Sequence, residues 1–240
     1  PLLLGIGKNE TFLSSDVSAV LEYTRNILYL DDDEIALIDN NGYTIKHISH
    51  DQEIIKDIKE IEYTLEQIEK GNFKHFMLKE IYEQPVVIGD TLHTLIDPLE
   101  EVVRLPELPF SLEKIPRINI VACGTSFHSA MVAKYWFESV AGIPADVDIA
   151  SEFRYREALM QNGGISLFIS QSGETADTLA ALRYSKEQGQ HIISVVNVLE
   201  SSMARESDVA LQTKAGPEIG VASTKAFTTQ LTTLACFIIG

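Results

Sequence analysis

The sequence predicts an α/β protein: a parallel sheet covered by helices on both faces, behind a β-rich opening segment. Two observations carry that reading. From residue 118 onward, short β-branched apolar runs alternate with longer stretches at helical spacing, strand then helix then strand. Before residue 50, apolar runs are separated by turn residues, with one short helical stretch among them.

Taken in order, "PLLLGI", "NILYL", "EIALID" and "YTIKHIS" read as strands. The last two are joined by "NNG", where Asn and Gly tolerate positive φ and so favour a hairpin. "SSDVSAVLEYT" supplies the short helix. From about 51 to 70 the chain is polar and acid-rich, a boundary that is not low-complexity. Next, Phe76, Met77, Glu80, Ile81 and Gln84 fall at helical spacing, and Pro85 falls where a kink or break is expected. "PLEEVVRLPELPF" is Pro-punctuated and reads as a connection. Then "INIVA" is a strand, and "SFHSAMVAKYWFESVAG" a helix closed by Gly142 and Pro144. "ADVDIA" is a strand and "EFRYREAL" a short helix; "ISLFIS" is a strand and "TADTLAALRYSKEQG" a helix capped by Gly189. "HIISVVNV", "SSMARESD" and "VALQT" read strand, short helix, strand, and "STKAFTTQLTTLACFII" is a last helix. The resulting division is 1–60, 61–112 as connecting helix and linker, and 113–240.

Composition narrows the function. Nineteen Lys and Arg against 35 Asp and Glu give a net charge of −16, which argues against nucleic acid as a partner, since phosphate backbones need clustered cations. Any anion site must be local, built from dipoles and hydroxyls against an unfavourable global field. No run approaches the roughly 20 apolar residues of a membrane span, and "PLLLGIGKNE" has no basic n-region. Cys123 and Cys236 are far apart, with neither metal spacing nor a disulfide framework, and a cytoplasmic setting is expected. Residues 2–6 read as a strand entered midway and "TTQLTTLACFIIG" as a buried helix still under way, so a longer protein is expected.

Three strand-to-helix turns share one chemistry: "CGTS" (123–126), "SQSGET" (170–175) and "GVASTK" (220–225). In open parallel sheets the ligand crevice lies at the carboxyl ends of the strands, where all three would sit. Helix N-termini offer unpaired N–H groups and partial positive charge to a phosphate. Gly124 and Gly173 permit close backbone approach, Ser126, Ser170, Ser172 and Thr175 offer hydroxyls, and Gln171 an amide. The competing reading is that Ser and Thr simply cap these helices. Capping needs one hydroxyl per helix, however, and "SQSGET" has three in six residues. There is no P-loop, no dinucleotide fingerprint, no nucleophile elbow and no metal motif. His128 reads as an ordinary polar helix position, Cys123 as a small buried residue, and Trp136 and Phe137 as core. Lys225, in a first helical turn that disfavours a cation, stays open between a ligand contact and a partner for a carboxylate.

"CGTS", "SQSGETADTLAALR" and "EIGVASTKAFTTQL" closely resemble the sugar isomerase (SIS) domain of the glutamine–fructose-6-phosphate aminotransferase (isomerizing) family. "HFMLKEIYEQP" and "ASEFRYRE" are similar to the same family, and the opening "PLLLGIG" through "ILYLDDDEIALI" resembles the end of its glutaminase (Ntn-type) domain. The resemblance covers nearly the whole chain. It implies an SIS-type, nucleotide-binding-like sandwich behind the tail of a glutaminase domain. It also implies that fructose 6-phosphate and glutamine yield glucosamine 6-phosphate and glutamate, with ammonia channelled from an upstream domain and no metal or organic cofactor. Ser170, Gln171, Ser172, Thr175 and Ser126 match the positions holding the sugar phosphate, and Thr125, Val221 and Ser223 match positions along the sugar. The family's general base, ring-opening His and Schiff-base Lys match nothing in this chain, so no catalytic residue is expected here. A homodimer is implied. The alternative from another class is a sugar-phosphate-sensing regulatory module, which the glutaminase-like opening strands disfavour, as they do a related amino-sugar isomerase or deglycase.

Overall fold

The structure, a computed structural model, describes residues 2–61, 65–112 and 115–240. The chain divides into two compact units, 1–72 and 73–240.

In the first unit, β1 (Leu3–Ile6) lies between β2 (Thr11–Ser14) and β3 (Asn26–Tyr29), all antiparallel, with β7 (Lys59–Glu60) beyond β3. β4 (Glu34–Asp39), β5 (Gly42–His47) and β6 (His50–Ile54) form a separate meander. The hairpin expected at "NNG" closes with Asp39 opposite Gly42, and Asp39 Oδ1 accepts from Asn41 N at 2.7 Å, a local Asx bond. The short helix after β2 is reduced to a 3₁₀ turn at Val17–Ala19, started by Asp16, whose Oδ1 accepts from Ser18 N. Leu4, Leu28, Leu30 and Ile45 form one small core and Leu3, Val20 and Ile27 another. The unit ends with α1 (Leu65–Ile68).

The second unit begins with α2 (Phe76–Leu95), which corrects one expectation. Pro85 does not end it as a break would; the helix continues for ten residues beyond, to Leu95. A proline removes the N–H that would bond the carbonyl four residues back. That carbonyl belongs to Ile81, and Gln84 Nε2 donates to it at 3.1 Å instead. β8 (Ile96–Asp97) and β9 (Val102–Val103) then pair as a minimal hairpin inside the expected connection.

Five parallel strands follow: β10 (Ile118–Ala122), β11 (Ala145–Ile149), β12 (Ile165–Ser170), β13 (His191–Val196) and β14 (Val209–Gln212), in the order β11-β10-β12-β13-β14. Between them run α3 (Gly124–Trp136), α4 (Ala150–Phe153), α5 (Ala176–Glu187) and α6 (Ser202–Glu206), and α7 (Lys225–Ile239) closes the unit. A single π-type turn at Phe137–Ala141 extends α3 to Gly142, whose φ of 69° ends it as glycine C-caps do. α4 is shorter than the expected "EFRYREAL": Tyr155–Glu157 leave the helix, and Arg156 instead reaches Asp148 at 2.6 Å.

Alternation along each strand divides the core. Ile120, Ala122, Leu167, Ile169, Ile193 and Val195 face α3 and α7, joined by Ala130, Ala133, Leu234 and Phe237. Val121, Phe168, Ile192 and Val196 face α4, α5 and α6, joined by Phe153, Leu182 and Met203. All six residues of central β12 are buried, the mark of a strand covered on both faces. Each buried Leu or Ile contributes about 1.5–3 kcal/mol. α2 packs along α7, adding a further helix to the first face.

Candidate functional site at the switch point

The strand order reverses between β10 and β12: the chain steps outward from β10 to β11, then returns to place β12 on β10's other side. At such a switch point the two neighbouring loops diverge to opposite faces and open a crevice at the carboxyl edge. Ala122 pairs with Ile169, so the turns at 123–126 and 170–175 leave adjacent strands at the same level.

The first turn is set by Gly124, with φ of 57°. Cys123 stands at the N-cap of α3 without a side-chain capping bond. Thr125 is exposed, while Ser126 is buried. Gln230 Nε2 of α7 donates to Ser126 Oγ at 3.0 Å, and Ser129 Oγ lies 3.1 Å from Gln230 Oε1. The second turn is set by Gly173, with φ of 67°. Ser170 Oγ accepts from Gly173 N at 3.1 Å and lies 3.1 Å from Thr175 Oγ1. Ser172 is exposed, and its Oγ accepts from Glu174 N at 3.2 Å. The acid in this turn is drawn off: Glu174 Oε1 accepts from Ser202 N at 2.8 Å, at the start of α6.

Capping does not explain these hydroxyls. Thr175 and Thr224 stand at the N-caps of α5 and α7 and, like Cys123, make no side-chain capping bond. Ser201 of α6 shows the contrast, accepting from Ala204 N. The hydroxyls of Ser126 and Ser172 accept from protein N–H groups and have no acceptor for their own protons among the described residues. A hydroxyl held as an acceptor on one side donates on the other, which is what an anion's oxygens require.

The third segment differs from the expected tight turn. β14 ends at Gln212 and α7 starts at Lys225, so residues 213–224 form a long loop. Its path is fixed by contacts that the sequence did not advertise. Gln171 Nε2 and Asn197 Nδ2 both donate to the Gly216 carbonyl, at 3.4 and 3.2 Å. Gln171 therefore ties the second turn to the loop, and its buried Oε1 has no partner among the described residues. Glu218 Oε1 accepts from Thr224 N and Ala226 N, supplying the α7 cap that Thr224 does not. Val221 is fully exposed and Ser223 half-buried at the far end of the loop.

Lys225 is 2% exposed and its Nζ pairs with Glu83 of α2 at 2.8 Å, which decides its role in favour of the carboxylate partner. His128 is exposed, Cys123 half-buried, and Phe137 buried in the core with Trp136 packed against it. Burial pushes the Cys236 thiol above its ordinary range. Asp148 at the end of β11 is likewise raised, by burial against the opposing Arg156. Among the described residues no three His, Cys, Asp or Glu gather as a metal site would require, and no helix is long and apolar enough to cross a membrane. A groove of about 690 Å³ between α2 and α7, lined by Ile88, Leu92, Trp136 and Leu231, is apolar and shares no residue with the turns.

Sheet order and loops thus define an open, doubly wound α/β domain with a donor-lined crevice at its switch point. The SIS domain family matches residues 111–240, and the chain belongs to that family. Over 235 residues, 98% of its length, the chain is 51% identical to the glutamine–fructose-6-phosphate aminotransferase (isomerizing) of Zymomonas mobilis. Over 236 residues, again 98% of its length, it is 52% identical to the enzyme of that name from Bradyrhizobium diazoefficiens. The chain spans 39% of each of these curated relatives. Among solved structures it is similar to the C-terminal domain of glucosamine-fructose-6-phosphate aminotransferase from Francisella tularensis. There the TM-score is 0.66 and the identity 51%, covering 71% of this chain and 48% of that one.

Proposed function

We propose that this chain supplies the sugar-phosphate grip of an enzyme that converts fructose 6-phosphate and glutamine to glucosamine 6-phosphate and glutamate. Residues 113–240 are the first of two SIS subdomains, 61–112 the connection, and 1–60 the end of a glutaminase domain that delivers ammonia from glutamine. The phosphate lies against Ser170, Gln171, Ser172 and Thr175, with Ser126 opposite, and Thr125, Val221 and Ser223 run along the sugar. The grip positions the reacting carbons for chemistry performed by residues elsewhere in the protein. The enzyme works as a homodimer in the cytoplasm, and both cysteines are free thiols, as that compartment favours.

The observation that carries the reading is the pair of switch-point turns whose hydroxyls are engaged as acceptors and left to donate. No side chain of Lys or Arg lies within either turn, so the grip rests on dipoles and neutral donors that also let a product leave. Identity extending over 98% of the chain, opening strands included, supports the enzyme over a stand-alone regulatory module.

Calorimetry with fructose 6-phosphate tests it, on the protein and on Ser172→Ala. One-to-one binding, displaced by glucose 6-phosphate and weakened about 10- to 100-fold by the substitution, is expected, since a hydrogen bond to a charged group contributes about 1.5–3 kcal/mol. An unchanged affinity in Ser172→Ala would remove that turn from the site.

A further inference from the structure

Glu80 belongs to none of the three turns, yet it holds one of them. It sits on α2, is 2% exposed, and its Oε1 accepts from Ile219 N at 2.6 Å and Gly220 N at 2.8 Å. Its Oε2 is buried with no hydrogen-bond partner among the described residues. A Cβ added at Gly220 would lie 2.4 Å from that oxygen, so the glycine is pressed against the carboxylate with no room for a side chain. Loop 213–224 has neither strand nor helix of its own. A buried carboxylate bonded to two successive N–H groups is therefore its principal anchor to α2, beside the Thr91 hydroxyl that accepts from Lys214 N.

We infer that Glu80 is a positioning residue: its carboxylate fixes residues 219–220 and thereby sets the path of Val221 and Ser223, in the loop that Gln171 ties to the second switch-point turn through the Gly216 carbonyl. The consequence for sugar-phosphate affinity rests on the function proposed above; the clamp itself does not. Successive N–H groups converging on one oxygen orient the peptide planes as well as bind them, and charge-assisted bonds are the stronger kind. Among the described residues, none of the three positions 221–223 has a comparable anchor before Thr224 N meets Glu218.

The test compares Glu80→Gln, Glu80→Ala and Gly220→Ala in the full-length protein. Glu80→Gln keeps an oxygen able to accept both bonds and is expected to stay within about threefold of the parent in every readout. Glu80→Ala removes the acceptor and should raise hydrogen exchange at the Ile219 and Gly220 amides by roughly 10- to 100-fold. It should also raise the Kd for fructose 6-phosphate by about tenfold or more, with the melting of the β10–β14 sheet unchanged. Gly220→Ala, which leaves α2 intact, should move both readouts the same way by displacing the loop from Glu80. Amides that remain protected in Glu80→Ala and Gly220→Ala overturn the clamp. Lost protection with an unchanged Kd overturns its role in positioning the site. If no variant and not the parent binds fructose 6-phosphate, the sugar reading fails, while the exchange data still decide the clamp.

Discussion

Replacing Gly173 by alanine leaves every hydroxyl of the second turn in place and perturbs only its backbone. Two costs follow from the geometry. With φ at 67°, an alanine at this position pays the left-handed penalty of about 1–2 kcal/mol. Its Cβ would also lie 2.0 Å from Ser201 Oγ and 2.5 Å from Ser201 Cβ, and Ser201 is fully buried, so the turn or α6 must move. Overpacking of that kind costs about 1–3 kcal/mol. The sum, about 2–5 kcal/mol, is a large part of the roughly 5–15 kcal/mol that holds a typical domain folded. The single tryptophan, Trp136, packs against the second unit's core, so urea unfolding followed by its fluorescence reports that unit alone. Ser201→Gly should restore the steric share, because glycine replaces a serine cap at a cost of only a few tenths of a kcal/mol. The φ share should remain. A loss below about 0.5 kcal/mol in Gly173→Ala would refute the account of this turn, as would a double variant no more stable than the single one.

Three further outcomes are expected. Lys225→Ala should destabilise the second unit by about 1–3 kcal/mol in the same fluorescence assay, because it removes a charge-assisted bond at a buried lysine while Glu83 keeps its second partner, Lys79 at 3.5 Å. Pro85→Ala should raise the unfolding midpoint by the equivalent of about 1 kcal/mol or more, since an exposed helix position regains a backbone bond and sheds a ring clash. Alkylation by iodoacetamide at pH 8 should label Cys123 in the native protein and Cys236 only after unfolding. Cys236 is 5% exposed, and burial raises its thiol so that thiolate is scarce at that pH.

The parallel sheet was legible because each strand is a short β-branched run bounded by turn residues, as in "INIVA" and "ISLFIS". The first two turns were legible for a related reason. A glycine that must take positive φ, flanked by hydroxyls, sits where one period gives way to another, and Gly124 and Gly173 fill that role. Pro85 misled because local chemistry opposes a helix there, while packing on α7 and the Gln84 amide sustain one. Glu80, Asn197 and Gln230 were not legible at all. Their partners lie 139, 19 and 104 positions away, and nothing in a polar residue's immediate neighbours reveals which distant backbone it will meet. Glu218 was within reach of the sequence, being an acid shortly before a predicted helix, where the helix dipole favours a carboxylate. The two readings of Lys225 needed α2 in place before Glu83 could decide between them.

The pairing of α2 with the loop before α7 also sets an order of events during synthesis. Ile219 and Gly220 leave the ribosome 139 and 140 positions after Glu80. At about 5–20 residues per second, a carboxylate destined for burial waits roughly 7–28 s for the amides that will cover it. α7, the helix against which α2 packs, begins only five positions after Gly220, so α2 gains its partner helix and the loop amides in the same stretch of synthesis. The loop that Glu80 holds therefore cannot be clamped until the β10–β14 sheet has already been made, and its geometry is fixed by a residue synthesised before that sheet.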